Sequence, residues 1–167
     1  MSTATASVTV FEKGQEKTHQ SSATKNATLF EYPDVVYYGI FFSDAMLKKL
    51  YEACPYYGRF AIANPHLTLA HRDGDAEFDG EFIEKFYEKS AALRVMGFCC
   101  DDDVVLALLD PETSPVSQST PPHITLYRKR AVNLKEAADK CAQSPKKNVA
   151  VDLTLRGQVR AWSQPEE

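Results

Sequence analysis

Glycine is scarce in this chain, seven among 167 residues, and those present form neither a GxxxxGK[ST] loop nor a GxGxxG turn. Such loops need closely spaced glycines so that backbone amides can approach a phosphate chain. Their absence argues against ATP or dinucleotide chemistry. Long apolar runs are missing as well: no stretch approaches the roughly 18 consecutive apolar residues of a membrane span, so a soluble protein is expected. Positive charge is in deficit, with 19 Lys and Arg against 23 Asp and Glu and a formal net charge of −4. A broad cationic surface that clamps long nucleic acid by counterion release does not fit that balance, whereas a small site gripping one terminus does. The four cysteines, Cys54, Cys99, Cys100 and Cys141, show no CxxC spacing. They read as reduced thiols, which points to the cytoplasm or nucleus.

What is present is a hydrophobic fraction of 44%, enough at this length for one compact core. Residues 1–32 read as a flexible leader, rich in Ser, Thr, Ala and Lys up to about Thr28, free of Arg and of an apolar signal core, with one short strand at Ala6–Phe11. Asn26-Ala27-Thr28 fits a glycosylation sequon, which has meaning only on the secretory route. Residues 33–163 are expected to form a single, monomeric domain, and 164–167 a tail. Within the domain, strands and helices alternate. The β-branched and aromatic run Val35–Phe42 predicts a strand, and Ser43 or Asp44 caps a helix that Pro55 stops after Cys54. A strand over Pro65–Arg72 leads through the acidic turn Asp73-Gly74-Asp75 to a helix at about Asp79–Lys89. Leu93–Cys100 and Val104–Leu109 form a hairpin about Asp101-Asp102-Asp103, and a Pro/Ser-rich loop, Asp110–Pro122, longer than most connections, is either a plain solvated connection or a binding loop or lid before the next strand. A helix at about Leu134–Gln143 and a strand at Val149–Trp162 complete an α+β plan in two halves.

Each half contains one copy of the same four-residue pattern, His-apolar-Thr-apolar, as His66-Leu67-Thr68-Leu69 and His123-Ile124-Thr125-Leu126. By chance, roughly one His in a hundred would be followed by apolar, Thr, apolar, and the chain has only four His. On an extended backbone residues i and i+2 share a face, so each His lies beside its Thr while the apolar pair faces the core. Brought together, the two units supply two imidazoles that can give and take protons near neutral pH and two hydroxyls that can hold phosphate oxygens.

Other chemistries fit less well. Asp73 to Glu84 has a faint likeness to an EF-hand loop, but Phe78 stands where the turn glycine is required. His66 and His71 are five apart, which on a regular strand puts them on opposite faces, so no metal site and no cofactor is implied. Positive charge collects where the motif strands end, at Arg72 and at Arg128 beside Tyr127, and these are candidate contacts to phosphate or to an RNA backbone. Tyr38, in the pair Tyr37-Tyr38, is a candidate base-stacking surface.

With its paired motifs the chain resembles the 2H phosphoesterase superfamily. The segments Pro65–Arg72, Val95–Asp102 and Pro122–Leu126 are similar to those of the cyclic phosphodiesterase domain of fungal and plant tRNA ligases. That likeness spans roughly Val35 to Val159, and the kinase and adenylyltransferase parts of those ligases have no counterpart. The resemblance implies a two-lobed, pseudo-symmetric fold in which antiparallel sheets line a central cleft with helices outside. It implies metal-independent hydrolysis of 2′,3′-cyclic phosphates, on RNA 3′ ends or nucleotides, to a 2′-phosphate and a 3′-hydroxyl. His66 and His123 are then general acid and base in an order left open, and Thr68 and Thr125 the phosphate anchors. A separate RNA kinase and ligase would act alongside. Alternatives are a 2′-5′ linkage, a cyclic phosphate of ADP-ribose, stepwise trimming of a 3′ RNA tail, an RNA-end-binding module without chemistry, or a protein in which both His are ordinary strand residues.

Overall fold

The computed structural model describes residues 5–12, 15–22, 27–74, 77–118 and 121–163. The elements run β1 (Thr5–Glu12), β2 (Gln15–Ser22), a 3-10 turn (Ala27–Phe30), β3 (Val35–Phe42), α1 (Asp44–Ala53), β4 (Phe60–Ala61), β5 (His66–His71), α2 (Gly80–Phe86), β6 (Ser90–Cys100), β7 (Val104–Leu109), β8 (His123–Arg128), α3 (Leu134–Gln143) and β9 (Lys147–Ser163). Each helix starts at a short polar side chain that accepts from an amide of the first turn: Ser43 from Met46, Asp79 from Phe82 and Asn133 from Glu136.

Two of the departures from expectation have identifiable consequences for the sheet. Residues 1–32 hold a hairpin, β1 paired with β2, rather than a single short strand, and β1 continues onto β6 through Val10–Ala91 and Phe11–Ser90. The second helix stops at Phe86 instead of reaching Lys89 because tertiary pairing takes its last turn. Tyr87 bridges to Val159, the Glu88 amide donates to the Val159 carbonyl, and Glu88 turns into the left-handed region at φ 65°. The sequon residue Asn26, Asp75 of the acidic turn and the 164–167 tail lie outside the described residues.

All strand pairs are antiparallel, and the main sheet has the order β4-β8-β7-β6-β9-β3-β5. Setting aside the two-residue β4, this order reads alike from both ends. Each end carries a motif strand, then the strand before it in sequence, then the strand that follows the other half's helix. Instead of two separate sheets there is one continuous sheet, fused where β6 and β9 pair from Ser90–Gln158 to Cys100–Lys147. It curls so that the motif strands β5 and β8, at opposite ends of that order, come into contact.

The motif strands alternate as their pattern requires. Leu67, Leu69, Ile124 and Leu126 are fully buried in the core with Ile40, Leu155 and Val159. Burying such a side chain contributes about 1.5–3 kcal/mol, so a one-residue slip of either strand would cost several of these at once and expose its His to the core.

Candidate active site

Both motif strands carry the same irregularity. In β5, Tyr38 pairs with Ala70 and Gly39 with Thr68, leaving Leu69 as an extra residue. In β8, Val105 pairs with Tyr127 and Leu106 with Thr125, leaving Leu126 extra. A bulge of this kind reverses the facing of everything beyond it. Regular alternation puts His66 and His71 on opposite faces; the bulge returns His71 to the face of His66, and the two line one cleft.

That cleft, of about 380 Å³, is lined by His66, Thr68 and His71 from β5, His123 and Thr125 from β8, Tyr37 from β3, Gln118 from the long loop, and Lys135 and Asp139 from α3. The four motif residues thus meet in one place, as expected. Contrary to expectation, the helices do not all lie outside: α3 forms one wall.

Each catalytic candidate is oriented by main chain. His66 Nδ1 lies 3.0 Å from the carbonyl of Asn64, and His123 Nδ1 lies 2.7 Å from that of Pro121. A carbonyl can only accept, so Nδ1 carries the proton in both rings and Nε2 is left for the cleft. In each case the partner is two residues before the histidine. Asn64 adopts a left-handed φ of 50°, a conformation asparagine tolerates better than most residues. Burial pushes both imidazoles below the ordinary histidine value, and the carbonyl bonds pull the other way. Both histidines are therefore neutral in the free protein at pH 7.

The two sides of the cleft differ around this shared arrangement. His66 sits in an aromatic wall, its ring 4.7 Å from that of Tyr37 and 5.0 Å from that of Phe41, with Trp162 stacked on Tyr37 at 5.5 Å. Gly39 makes room for it: a Cβ there would come within 2.7 Å of the Leu67 carbonyl and 3.3 Å of the His66 ring. Burial pushes the Tyr37 phenol up to about 12, so it stays protonated. His123 instead faces charge. Asp139 Oδ1 lies 3.7 Å from its Nε2, and Lys135, one helical turn earlier, bonds the other carboxylate oxygen at 2.9 Å. The Asp139 charge raises the His123 pKa against burial, and Lys135 opposes it.

The long loop closes the remaining side. The Gln118 amide donates to the Leu69 carbonyl, its Oε1 accepts from the His71 amide at 2.7 Å, and the Ser117 hydroxyl donates to the Thr68 carbonyl at 2.6 Å. The long loop over Asp110–Pro122 is thus tied to the first motif strand rather than being a plain solvated connection, and it contributes Gln118 to the cleft; residues 119 and 120 lie outside the described residues.

Four expected substrate contacts lie elsewhere. Tyr38 points from β3 into the core and donates to the Leu29 carbonyl at 2.5 Å; its neighbour Tyr37 faces the cleft. Arg72 turns back to the chain entering β3, donating to the carbonyls of Val35, Phe30 and Tyr32. Tyr127, which regular alternation would place beside Thr125, is turned by the Leu126 bulge to pack against Tyr51 and Tyr57. Arg128 stands at the register position equivalent to His71 but does not line the cleft, and its Nε is buried without a partner among the described residues. Conversely, no motif marks Tyr37, Gln118, Lys135 or Asp139. The Lys135/Asp139 spacing of four on a predicted helix is the one available signal for the last two.

Among the described residues no three His, Cys, Asp or Glu side chains group in a way that could hold a metal ion, and no helix is long and apolar enough to cross a membrane. All four cysteines are free. No protein-family model matches the chain, and no curated protein is similar to it at a significant level.

Proposed function

We propose that the protein hydrolyses 2′,3′-cyclic phosphates, on RNA 3′ ends or nucleotides, to a 2′-phosphate and a 3′-hydroxyl, and that its fold is the two-lobed 2H phosphoesterase fold. The observation that carries the reading is the convergence of two His-x-Thr units in one cleft, each imidazole held through Nδ1 by the carbonyl two residues earlier. The strand order that reads alike from both ends supports the fold.

In this scheme His66 is the base and His123 the acid. A carboxylate beside Nε2 favours the imidazolium, and among the described residues only His123 of the two has one. His66 Nε2 takes a proton from water as its oxygen attacks phosphorus. The bond from phosphorus to the ribose 3′ oxygen breaks, and that oxygen takes the proton held on His123 Nε2. Thr68 and Thr125 donate to the non-bridging oxygens, whose charge grows in the transition state. Neither proton transfer runs through a metal ion, so turnover continues with a chelator present.

The test is hydrolysis of a 2′,3′-cyclic nucleotide in EDTA, with identification of the monophosphate isomer. Wild type is expected to give the 2′-phosphate, with His66→Ala and His123→Ala each slower by about 10²–10⁴-fold. A strict metal requirement would sink the mechanism, a 3′-phosphate product the regiochemistry, and absence of turnover the activity.

A further inference from the structure

We propose that the cleft continues into a second subsite for the nucleotide on the 5′ side of the cyclic phosphate, so that the preferred substrate is an RNA 3′ end rather than a mononucleotide. The inference rests on the activity proposed above.

A second cavity of about 310 Å³ adjoins the first at Pro65 and is lined by Phe41, Asn64, Arg160 and Trp162 among others. The strand register shows how it is joined to the chemistry. Across β5, β3 and β9 the paired residues form three rows on one face: His71, Tyr37 and Trp162; Thr68, Gly39 and Arg160; His66, Phe41 and Gln158. Arg160 therefore stands in the same row as Thr68, with only the side-chain-free Gly39 between them. Two strand spacings, about 10 Å, separate their backbones, a gap that a long arginine side chain shortens to the reach of one nucleotide step.

The chemistry of this surface suits a nucleotide. A guanidinium offers a fork of N–H donors that matches phosphate oxygens. Arg160 is exposed and forms no ion pair among the described residues. Trp162 is 36% exposed while stacking on Tyr37, so one edge of the aromatic wall that holds His66 remains open for a base. A mononucleotide whose cyclic phosphate lies between the two histidines has no 5′ phosphodiester to give Arg160 and no second base to give Trp162. An RNA end has both.

The experiment compares kcat/KM for a 2′,3′-cyclic mononucleotide with that for a dinucleotide and a tetranucleotide ending in the same cyclic nucleotide, for wild type and Arg160→Gln. Wild type should prefer the dinucleotide by about tenfold or more, from one stacked base and one phosphate contact. In Arg160→Gln that preference should fall to about threefold or less, and the slope of log(kcat/KM) against log[salt] on the oligonucleotide should drop by about one. Equal rates on mono- and dinucleotide overturn the subsite. So does an Arg160→Gln variant that slows both substrates in parallel, because that marks general damage. Turnover of none of the three substrates overturns the underlying activity instead, so the two failures are distinguishable.

Discussion

Asp139 breaks the near-symmetry of the two histidines, and its effect is measurable. Both imidazoles are held below the ordinary 6.5 by burial. The base must be neutral, so kcat/KM rises with pH through the lowered His66 value; the acid must be protonated, so it falls through the lowered His123 value. A bell with its optimum on the acid side of 6.5 is expected for kcat/KM. Bound phosphate, an anion beside His123 Nε2, favours the imidazolium, so the alkaline limb of kcat lies above that of kcat/KM. Asp139→Asn removes the charge that raises His123 and leaves Lys135 unopposed. The alkaline limb should move further acid, and each pH step of one by which it moves should lower kcat/KM at about pH 7.5 by about tenfold. An unmoved limb would show that Asp139 does not act on the proton of His123. An aryl phosphodiester with a p-nitrophenolate leaving group needs no acid. On that substrate His123→Ala should recover most of its activity relative to the cyclic phosphate, and His66→Ala should not. These residue-scale features are only half legible in the sequence. The tetrapeptides name His66, Thr68, His123 and Thr125 because chemistry and alternation coincide there, whereas Asp139 and Tyr37 reach the cleft only through the packing of α3 and the register of β3.

At the level of elements, the paired bulges explain where reading by alternation succeeds and fails. Up to Thr68 and Thr125 each motif strand is regular and its faces are as expected. Past the extra Leu69 and Leu126 the facing reverses, which is why Tyr127 lies against Tyr51 and His71 lies in the cleft. Nothing local marks a bulge at a leucine, since the residue is as apolar as its neighbours. Helices are more legible: α1 begins after Ser43 and α3 spans Leu134–Gln143 as capping and periodicity require, because both signals are local. Gly39 tests the link between sheet and site. Gly39→Ala sets a Cβ against the Leu67 carbonyl and the His66 ring, so we expect a destabilisation of about 1–3 kcal/mol in denaturant unfolding together with lost activity. An N-cap change far from the cleft, Ser43→Ala, should cost about 1 kcal/mol and leave kcat unchanged.

At the scale of the whole molecule, the sheet exchanges strands between its halves: β6, which follows α2, lies beside β7, and β9, which follows α3, lies beside β3. The repeated motif is visible in the sequence but this exchange is not, because strand order depends on long-range pairing that periodicity does not encode. Neither half can complete its own sheet. A chain divided within the Asp101–Asp103 turn should give two fragments that show no cooperative thermal transition alone and that recover turnover when expressed together; independent folding of either one would contradict the exchange. The groups that set the proton position of both imidazoles are the carbonyls of Asn64 and Pro121, and every amino acid carries a carbonyl. Substitution cannot delete them as it would delete an orienting Asp or Glu. The setting of the two rings is therefore insured against point mutation by the main chain itself, and is lost only when the path of the backbone before each strand is lost.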